Sequence, residues 1–186
     1  NADTANLRQL FQAAAGAADI HFQLAEIVRV HTNTTFALDL FGGSIFTELK
    51  HQDQGGSDAR DTEKFLNIWV CRIQPTTIFG IDVGQIFGIA FPPNGLDNWP
   101  ADSGAPSAEE DGVVIDFRVF GRNNPNTVQN PGTGGNIVVQ GRTPVHEVGH
   151  YFGLRHIWGD GGFLGPNDCA QSDGVDDTPF ASAQSD

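Results

Sequence analysis

The feature that most constrains this chain is a short segment near its C-terminus, in which three histidines, a glutamate and a glycine occur at fixed spacing. His146 and His150 are four residues apart, so a helix places both imidazoles on one face. Gly153 can end that helix in the left-handed conformation, and the reversed chain can then bring His156 to the same point. Three neutral imidazoles leave the fourth position of a tetrahedral zinc ion open to water, which is the arrangement of catalytic zinc sites.

The residues around these histidines support a helix and add a candidate base. Thr143 can cap a helix and Pro144 suits its first position, so we predict a helix from Thr143 to Gly153. Glu147 points about a third of a turn away from the two histidines, where its carboxylate can reach a water on the ion. The alternative is an amphipathic helix with incidental histidines. In a chain of this composition, the full set of three histidines, glutamate and glycine at this spacing would arise by chance with a probability of about two in a hundred thousand. We therefore interpret the segment as a catalytic zinc site, with the Glu147 carboxylate within reach of a water on the ion.

The charge balance argues against several classes of partner. The chain has 10 Lys and Arg against 23 Asp and Glu, which gives a formal net charge of −13. Nucleic acids and anionic membrane surfaces need a basic face, so we expect neither as a partner. Apolar runs such as 65–70 are far too short to cross a bilayer, so we expect no membrane insertion. Two cysteines, Cys71 and Cys169, are too few for a disulfide scaffold, and their pairing stays open.

The length of 186 residues suits a single domain, assigned to 1–186. Five elements are predicted before the histidines from periodicity and from apolar runs: a helix over 5–15, a half-buried strand over 20–24, a central strand over 65–73, an edge strand over 86–91 and an alternating strand over 113–120. The edge position is expected because Pro92 follows directly and proline cannot extend a ladder. Long polar loops over 51–64, 92–110 and 121–141 connect these elements.

The last thirty residues differ in character from the rest. From Ile157 to Asp186 there are six Asp and five Gly but no Lys or Arg. One interpretation is a solvated acidic tail. The other is a loop organised by calcium, because neighbouring carboxylates repel unless a cation neutralises them. The candidate calcium ligands are Asp173, Asp176, Asp177 and Thr178.

The complete histidine pattern resembles the long zinc-binding signature of the metzincin metalloendopeptidases. Within that clan the chain resembles the pappalysin (cytophagalysin) family, in blocks that occur in the family's order: Leu66–Cys71, Asp111–Ile115, Gly141–Gly161 and Asp173–Pro179. The resemblance implies an α+β fold, in which the active-site helix packs beneath a twisted mixed sheet and an irregular lower part follows. The upper part is expected over 1–153 and the start of the lower part over 154–186.

The resemblance also implies roles for individual residues. His146, His150 and His156 would be the zinc ligands and Glu147 the general base. The rim of the cleft would be formed by Gly88, Ile89, Ala90 and Phe91, to which a peptide substrate adds as an extra strand. The Asp173–Thr178 segment would bind calcium, and Cys169 would pair with a cysteine further downstream.

Two further expectations follow from the resemblance. The protein should be secreted, although this sequence shows no signal peptide. The family carries a Met-containing turn beneath the zinc, whereas this chain has no Met, and its first residues, Asn1 to Asp3, resemble the end of the family's first helix. We therefore expect the chain to be incomplete at both ends.

The function predicted from these observations is that of a zinc-dependent endopeptidase, in which zinc-activated water attacks a peptide bond. A catalytically silent module that holds peptides on a metal- or calcium-stabilised domain is the first alternative. Glu147 argues against it, because a structural zinc needs no base and usually fills all four positions. A zinc hydrolase acting on another amide or an ester is the second alternative.

Overall fold

The computed structural model describes residues 9–12, 15–16, 19–38, 45–78, 81–92, 94–97, 99, 103–129, 134–137, 139–158, 172–176, 178 and 180–181. Two compact units are present. One unit is Val28–Leu154, and the other joins Asn1–Ile27 to Arg155–Asp186. The single-domain assignment stays a prediction. Among the described residues, no helix is long and apolar enough to cross a membrane.

The larger unit contains the strands and the longer helix of the described chain. In order these are β1 (Ile68–Cys71), β2 (Thr76–Ile78), β3 (Ile81–Gly84), β4 (Gly88–Ala90), β5 (Val113–Asp116), β6 (Val128–Gln129), β7 (Asn136–Ile137) and α2 (Arg142–Tyr151). Short 3-10 helices occupy Glu48–Lys50, Gln52–Gln54, Ala108–Glu110 and Phe117–Val119. The smaller unit contains α1 (Gln9–Gln12).

A three-stranded mixed sheet has the strand order β1-β5-β4. The central strand β5 pairs in parallel with β1, where Val113 lies opposite Ile68. It pairs antiparallel with β4, where Val114 lies opposite Ile89. All four β5 residues are buried, so both faces of this strand are covered. β2 with β3, and β6 with β7, form separate antiparallel pairs.

Alternate residues of β5 belong to two different apolar clusters. Val114 packs in the first cluster, whose other buried members are Phe36, Phe46, Leu49, Trp69 and Ile73. Val113 and Ile115 pack in the second cluster, together with Val119 and Val128. Val148 and Tyr151 of α2 pack against this second cluster. The active-site helix of the prediction is thereby fixed against one face of the sheet.

The strand predicted as central, over 65–73, is β1, which pairs with one described strand, β5, while Ile73 beyond its end forms a single parallel bridge with Phe36. Within the described sheet β1 lies at an edge, and β5 is the central strand. Ile68 and Val70 are 41% and 44% exposed, so one face of β1 is open. A continuous apolar run allows burial on both faces, but it does not determine how many neighbours a strand has.

The half-buried strand predicted over 20–24 is wrong. Each of these residues is described, none belongs to a strand, and Ile20, Phe22 and Leu24 are exposed. Alternation of apolar and polar residues cannot by itself supply the neighbouring strand that a hydrogen-bonded ladder requires.

The remaining elements agree with the sequence in part. The helix predicted over 5–15 is confirmed at Gln9–Gln12, while 5–8 and 13–14 lie outside the described residues. The edge strand predicted over 86–91 is confirmed as β4. The strand predicted over 113–120 ends early, at Asp116.

Asp116 ends β5 because its carboxylate draws the following residues into a turn. Its Oδ1 accepts hydrogen bonds from the backbone N and the Nε of Arg118, each at 2.8 Å. Its Oδ2 accepts from Arg118 Nη2 at 2.8 Å and from the backbone N of Ile73 at 3.0 Å. Burial alone would raise the pKa of Asp116, but these hydrogen bonds hold it below its ordinary value. The charged form therefore ties the end of β5 to the segment that follows β1.

Replacing Asp116 by Asn should cost about 3 kcal/mol of unfolding free energy at neutral pH, since it leaves the Arg118 guanidinium without its carboxylate. A lowered folded-state pKa adds stability above about pH 4, and this stability is lost as the pH falls through the folded-state value. Urea unfolding of the chelator-treated protein at neutral and acidic pH should show that the variant lacks this acid dependence. Asp53→Asn, at an exposed position, is the matched control. An equal loss of unfolding free energy in the two variants would contradict the role assigned to Asp116.

Candidate metal centre

Helix α2 carries His146 and His150, and a glycine lies just outside each of its ends. The helix begins at Arg142 after Gly141, whose φ of 70° makes it a left-handed cap. The prediction that Thr143 caps the helix is therefore wrong, since Thr143 lies inside the first turn. Pro144 is tolerated in that turn because its position needs no backbone donor. Gly153 has φ 87° and donates its N–H to the His150 carbonyl at 2.8 Å, which confirms the predicted stop.

His146 and His150 lie side by side on α2, as predicted. Their Nε2 atoms are 3.0 Å apart. Two nitrogens bound tetrahedrally to zinc at about 2.0–2.1 Å would be about 3.3 Å apart, so this pair already has nearly the required spacing.

The opposite ring nitrogen of His150 is held by the turn that ends the helix. Nδ1 lies 2.7 Å from the carbonyl oxygen of Leu154. Because a carbonyl only accepts, Nδ1 carries the proton and Nε2 presents its lone pair. A second hydrogen bond of this kind is what metal-binding histidines usually make.

His156 completes the set. The ligating nitrogens of His146, His150 and His156 all lie within 4.8 Å of one another, so the triad could hold one metal ion. Three imidazoles with a fourth position left over suit catalytic zinc, so the residues present fit that ion. Among the described residues, Asp173 and Asp176 belong to no such group.

Glu147 is buried against the edge strand. A Cβ built on Gly88 of β4 would lie 2.6 Å from Cγ and 2.7 Å from Oε1 of Glu147. Burial raises the pKa of Glu147 to about 7, and a cation at the histidines would act in the opposite direction. Any residue larger than glycine at position 88 must therefore displace the carboxyl group.

In the predicted rim, Gly88–Phe91, the larger side chains pack against the protein, so the main chain is what a partner at this edge would contact. Ile89 and Ala90 pack against the two apolar clusters. Phe91 is buried, with its ring 4.2 Å from the Nζ of Lys50. Burial lowers the pKa of Lys50 to about 8. A partner at this edge would therefore meet main-chain groups.

Two tryptophans beside the histidines were missed by sequence reasoning. The Trp99 ring lies edge-on to His150, with centroids 6.2 Å apart. The Trp158 ring stacks on His156, with centroids 4.4 Å apart and planes 9° from parallel. Trp158 follows the motif by two residues, which is a usable signal, whereas Trp99 sits in a polar loop that offers none.

The candidate calcium segment is described only in part. Asp173 is buried, and its Oδ1 accepts a hydrogen bond from the Val175 N–H at 3.0 Å. Asp176 is exposed, and the Thr178 N–H donates to the Val175 carbonyl at 3.3 Å. Asp177 lies outside the described residues. Calcium ligation by this segment stays a prediction.

Of the two cysteines, only Cys71 lies within the described residues. Cys71 is a half-buried free thiol, and its pKa is raised to about 12, mainly by burial. Cys169 lies outside the described residues, so its predicted pairing is untested.

Curated relatives match part of the chain. Extracellular metalloproteases of Arthroderma benhamiae and Trichophyton verrucosum are each 46% identical to it over 76 residues. These matches cover 40% of this chain and 21% of each relative. No protein-family model matches the chain.

Solved structures of mirolysin resemble the chain over nearly its whole length. Mature mirolysin of Tannerella forsythia in complex with a cleaved peptide gives a TM-score of 0.71 at 32% identity. Mirolysin in complex with a compound gives 0.69 at 33% identity. Each match covers 97% of this chain and 58% of the mirolysin chain. The chain thus spans less than two thirds of the length of these relatives.

These comparisons confirm the predicted α+β, metzincin-like fold. The relatives that carry a functional name are metalloproteases, which implies a metal, and the histidine triad is where this chain could hold one.

Proposed function

We propose that the protein is a zinc-dependent endopeptidase of the pappalysin family, with His146, His150 and His156 as zinc ligands. The observation that carries the proposal is the histidine geometry. Two Nε2 atoms lie 3.0 Å apart on α2, and all three ligating nitrogens lie within 4.8 Å. Mirolysin, solved with a cleaved peptide, and the extracellular metalloproteases support the choice of peptide hydrolysis, and the name of the extracellular metalloproteases supports secretion.

Zinc in this site supplies Lewis acidity, which lowers the pKa of a water and draws electrons from a carbonyl. Glu147 accepts a proton from the water at a carboxylate oxygen while the water oxygen bonds to the peptide carbon. The same carboxyl group then delivers the proton to the departing amine nitrogen as the C–N bond breaks. Gly88 leaves room for the carboxyl group, and the Leu154 carbonyl holds His150 in the tautomer that binds metal.

The substrate would bind along β4. This strand is at the edge of the described sheet, so its outer main-chain groups can pair with an extended peptide. The side chains of Ile89, Ala90 and Phe91 pack inward, which favours recognition of a peptide by its backbone. An ester, or an amide without a peptide main chain, would gain little from this edge.

The proposal is tested with the complete protein purified without chelators. Elemental analysis should find about one zinc per chain, and a peptide blocked at both ends should be cut at an internal bond. Zinc binding without cleavage would support the silent binding module instead. Cleavage of simple esters or amides, but not of peptides, would support the other zinc hydrolase.

A matched pair of glycine variants tests the placement of Glu147. Gly88→Ala should lower kcat about 100-fold with zinc content unchanged, because the added methyl group displaces the carboxyl group. Gly149→Ala is the control, since a Cβ there would meet only Leu154 Cδ1, at an ordinary 3.6 Å. Equal activity of the two variants would contradict this placement.

We further propose that calcium binds the segment containing Asp173, Asp176, Asp177 and Thr178. With zinc saturated, calcium at a hundredfold excess over its Kd should raise the Tm by about 5–10 °C, because it binds only the folded state. Magnesium is the control, since it is smaller and demands a stricter octahedral geometry. A Tm indifferent to calcium would favour the solvated acidic tail.

A further inference from the structure

We propose that Trp99 is a positioning residue for the metal centre, which holds the turn that orients His150. The inference rests on the proposed function, because it concerns how one proposed zinc ligand is held. Trp99 belongs to the loop after β4, far along the chain from the histidines. It contacts the turn that follows α2.

The first step of the argument is the contact between Trp99 and the turn. The indole Nε1 of Trp99 donates a hydrogen bond to the carbonyl oxygen of Gly153 at 2.8 Å. The same ring lies edge-on to His150, with the planes 89° apart. One side chain therefore contacts both the proposed ligand and the turn that follows it.

The second step is the close packing around Gly153. Gly153 is buried, and its φ of 87° is a conformation that other residues rarely adopt. A Cβ on Gly153 would lie 2.7 Å from Leu96 Cδ1 and 3.9 Å from Trp99 Nε1. Leu96 and Trp99 thus pack directly against the turn, which leaves it little room to shift.

The third step connects the turn to the imidazole. The residue after Gly153 is Leu154, whose carbonyl holds Nδ1 of His150 at 2.7 Å. The Leu154 N–H in turn donates to the Gly149 carbonyl at 3.0 Å. A movement of Gly153 therefore moves the carbonyl that fixes the His150 ring, and partners of this kind affect metal affinity.

The experiment compares two tryptophans that make the same kind of hydrogen bond. Trp99→Phe keeps an aromatic ring but removes the N–H that binds the Gly153 carbonyl. Trp69→Phe is the matched control, because Trp69 Nε1 donates to the Ser57 carbonyl at 2.7 Å in the first apolar cluster. Zinc affinity is measured by competition with a chromogenic chelator, and the stability of the zinc-free protein by thermal unfolding.

Trp99→Phe should bind zinc about 10-fold more weakly than the wild type, whereas Trp69→Phe should lose stability but keep wild-type zinc affinity. Equal zinc affinity in the two variants would overturn the inference. If Trp99→Phe does not fold, Leu96→Ala decides the question, with weaker zinc binding expected and unchanged binding contradictory. A wild-type protein that binds no zinc would instead refute the proposed function, so the two failures are distinguishable.

Discussion

Replacing Glu147 by Gln should reduce peptide hydrolysis by about 10³-fold or more while the zinc content stays at its wild-type level. The amide nearly matches the carboxyl group in size, so the space beside Gly88 stays filled. It cannot accept a proton from water, however, so the attacking water is no longer activated. kcat/KM on a peptide blocked at both ends and elemental analysis of the same preparation measure the two quantities.

The matched control for this variant is Glu109→Gln. Glu109 is exposed on the 3-10 helix Ala108–Glu110, away from the proposed ligands in sequence. The Glu109→Gln variant should hydrolyse peptides at the wild-type rate. A Glu147→Gln protein that still cleaves peptides at the wild-type rate would refute the assignment of Glu147 as general base, whatever its zinc content.

Replacing His150 by Ala should weaken zinc binding on the order of a thousandfold, beyond the roughly 10- to 100-fold typical of losing a partner behind a ligand. The substitution removes a proposed ligand and also the hydrogen bond to the Leu154 carbonyl. Peptide hydrolysis should disappear with the zinc. Chelator competition gives the affinity, and adding excess zinc should restore little activity.

His31→Ala is the control for a histidine outside the motif. His31 is exposed in the segment 19–38, and we expect its loss to leave both zinc content and hydrolysis unchanged. Full zinc content in His150→Ala would mean that zinc is bound elsewhere in the protein.

The sequence predicted best what depends on neighbouring residues. The pairing of His146 with His150 follows from helical spacing, and the stop at Gly153 follows from the conformational freedom of glycine. Both are confirmed by the structure. The prediction that β4 lies at an edge also depended only on a neighbouring residue, the proline that follows the strand, and it is confirmed among the described strands.

Features that depend on distant residues were not predictable in this way. The alternation in 20–24 matches a strand, yet no strand forms there, because alternation does not supply a neighbour. Whether a face of β1 is exposed depends on which segments pack against the sheet, and the composition of 65–73 does not determine this. The contact of Trp99 with Gly153 joins residues more than fifty positions apart, so no spacing rule could anticipate it.

From the pairing of β5 with both of its neighbours we also expect an order of assembly. Ile68 pairs with Val113 across roughly 45 residues of chain, a non-local contact of the kind that slows folding. Helix α2 has no surface to pack on until β4 and β5 have met, since its Val148 and Tyr151 sit against their cluster. We therefore expect the histidines of α2 to reach their final places late, after the slow step. A metal ion that binds them would act chiefly on the rate at which the native protein opens, and would thus prolong its lifetime without hastening its formation.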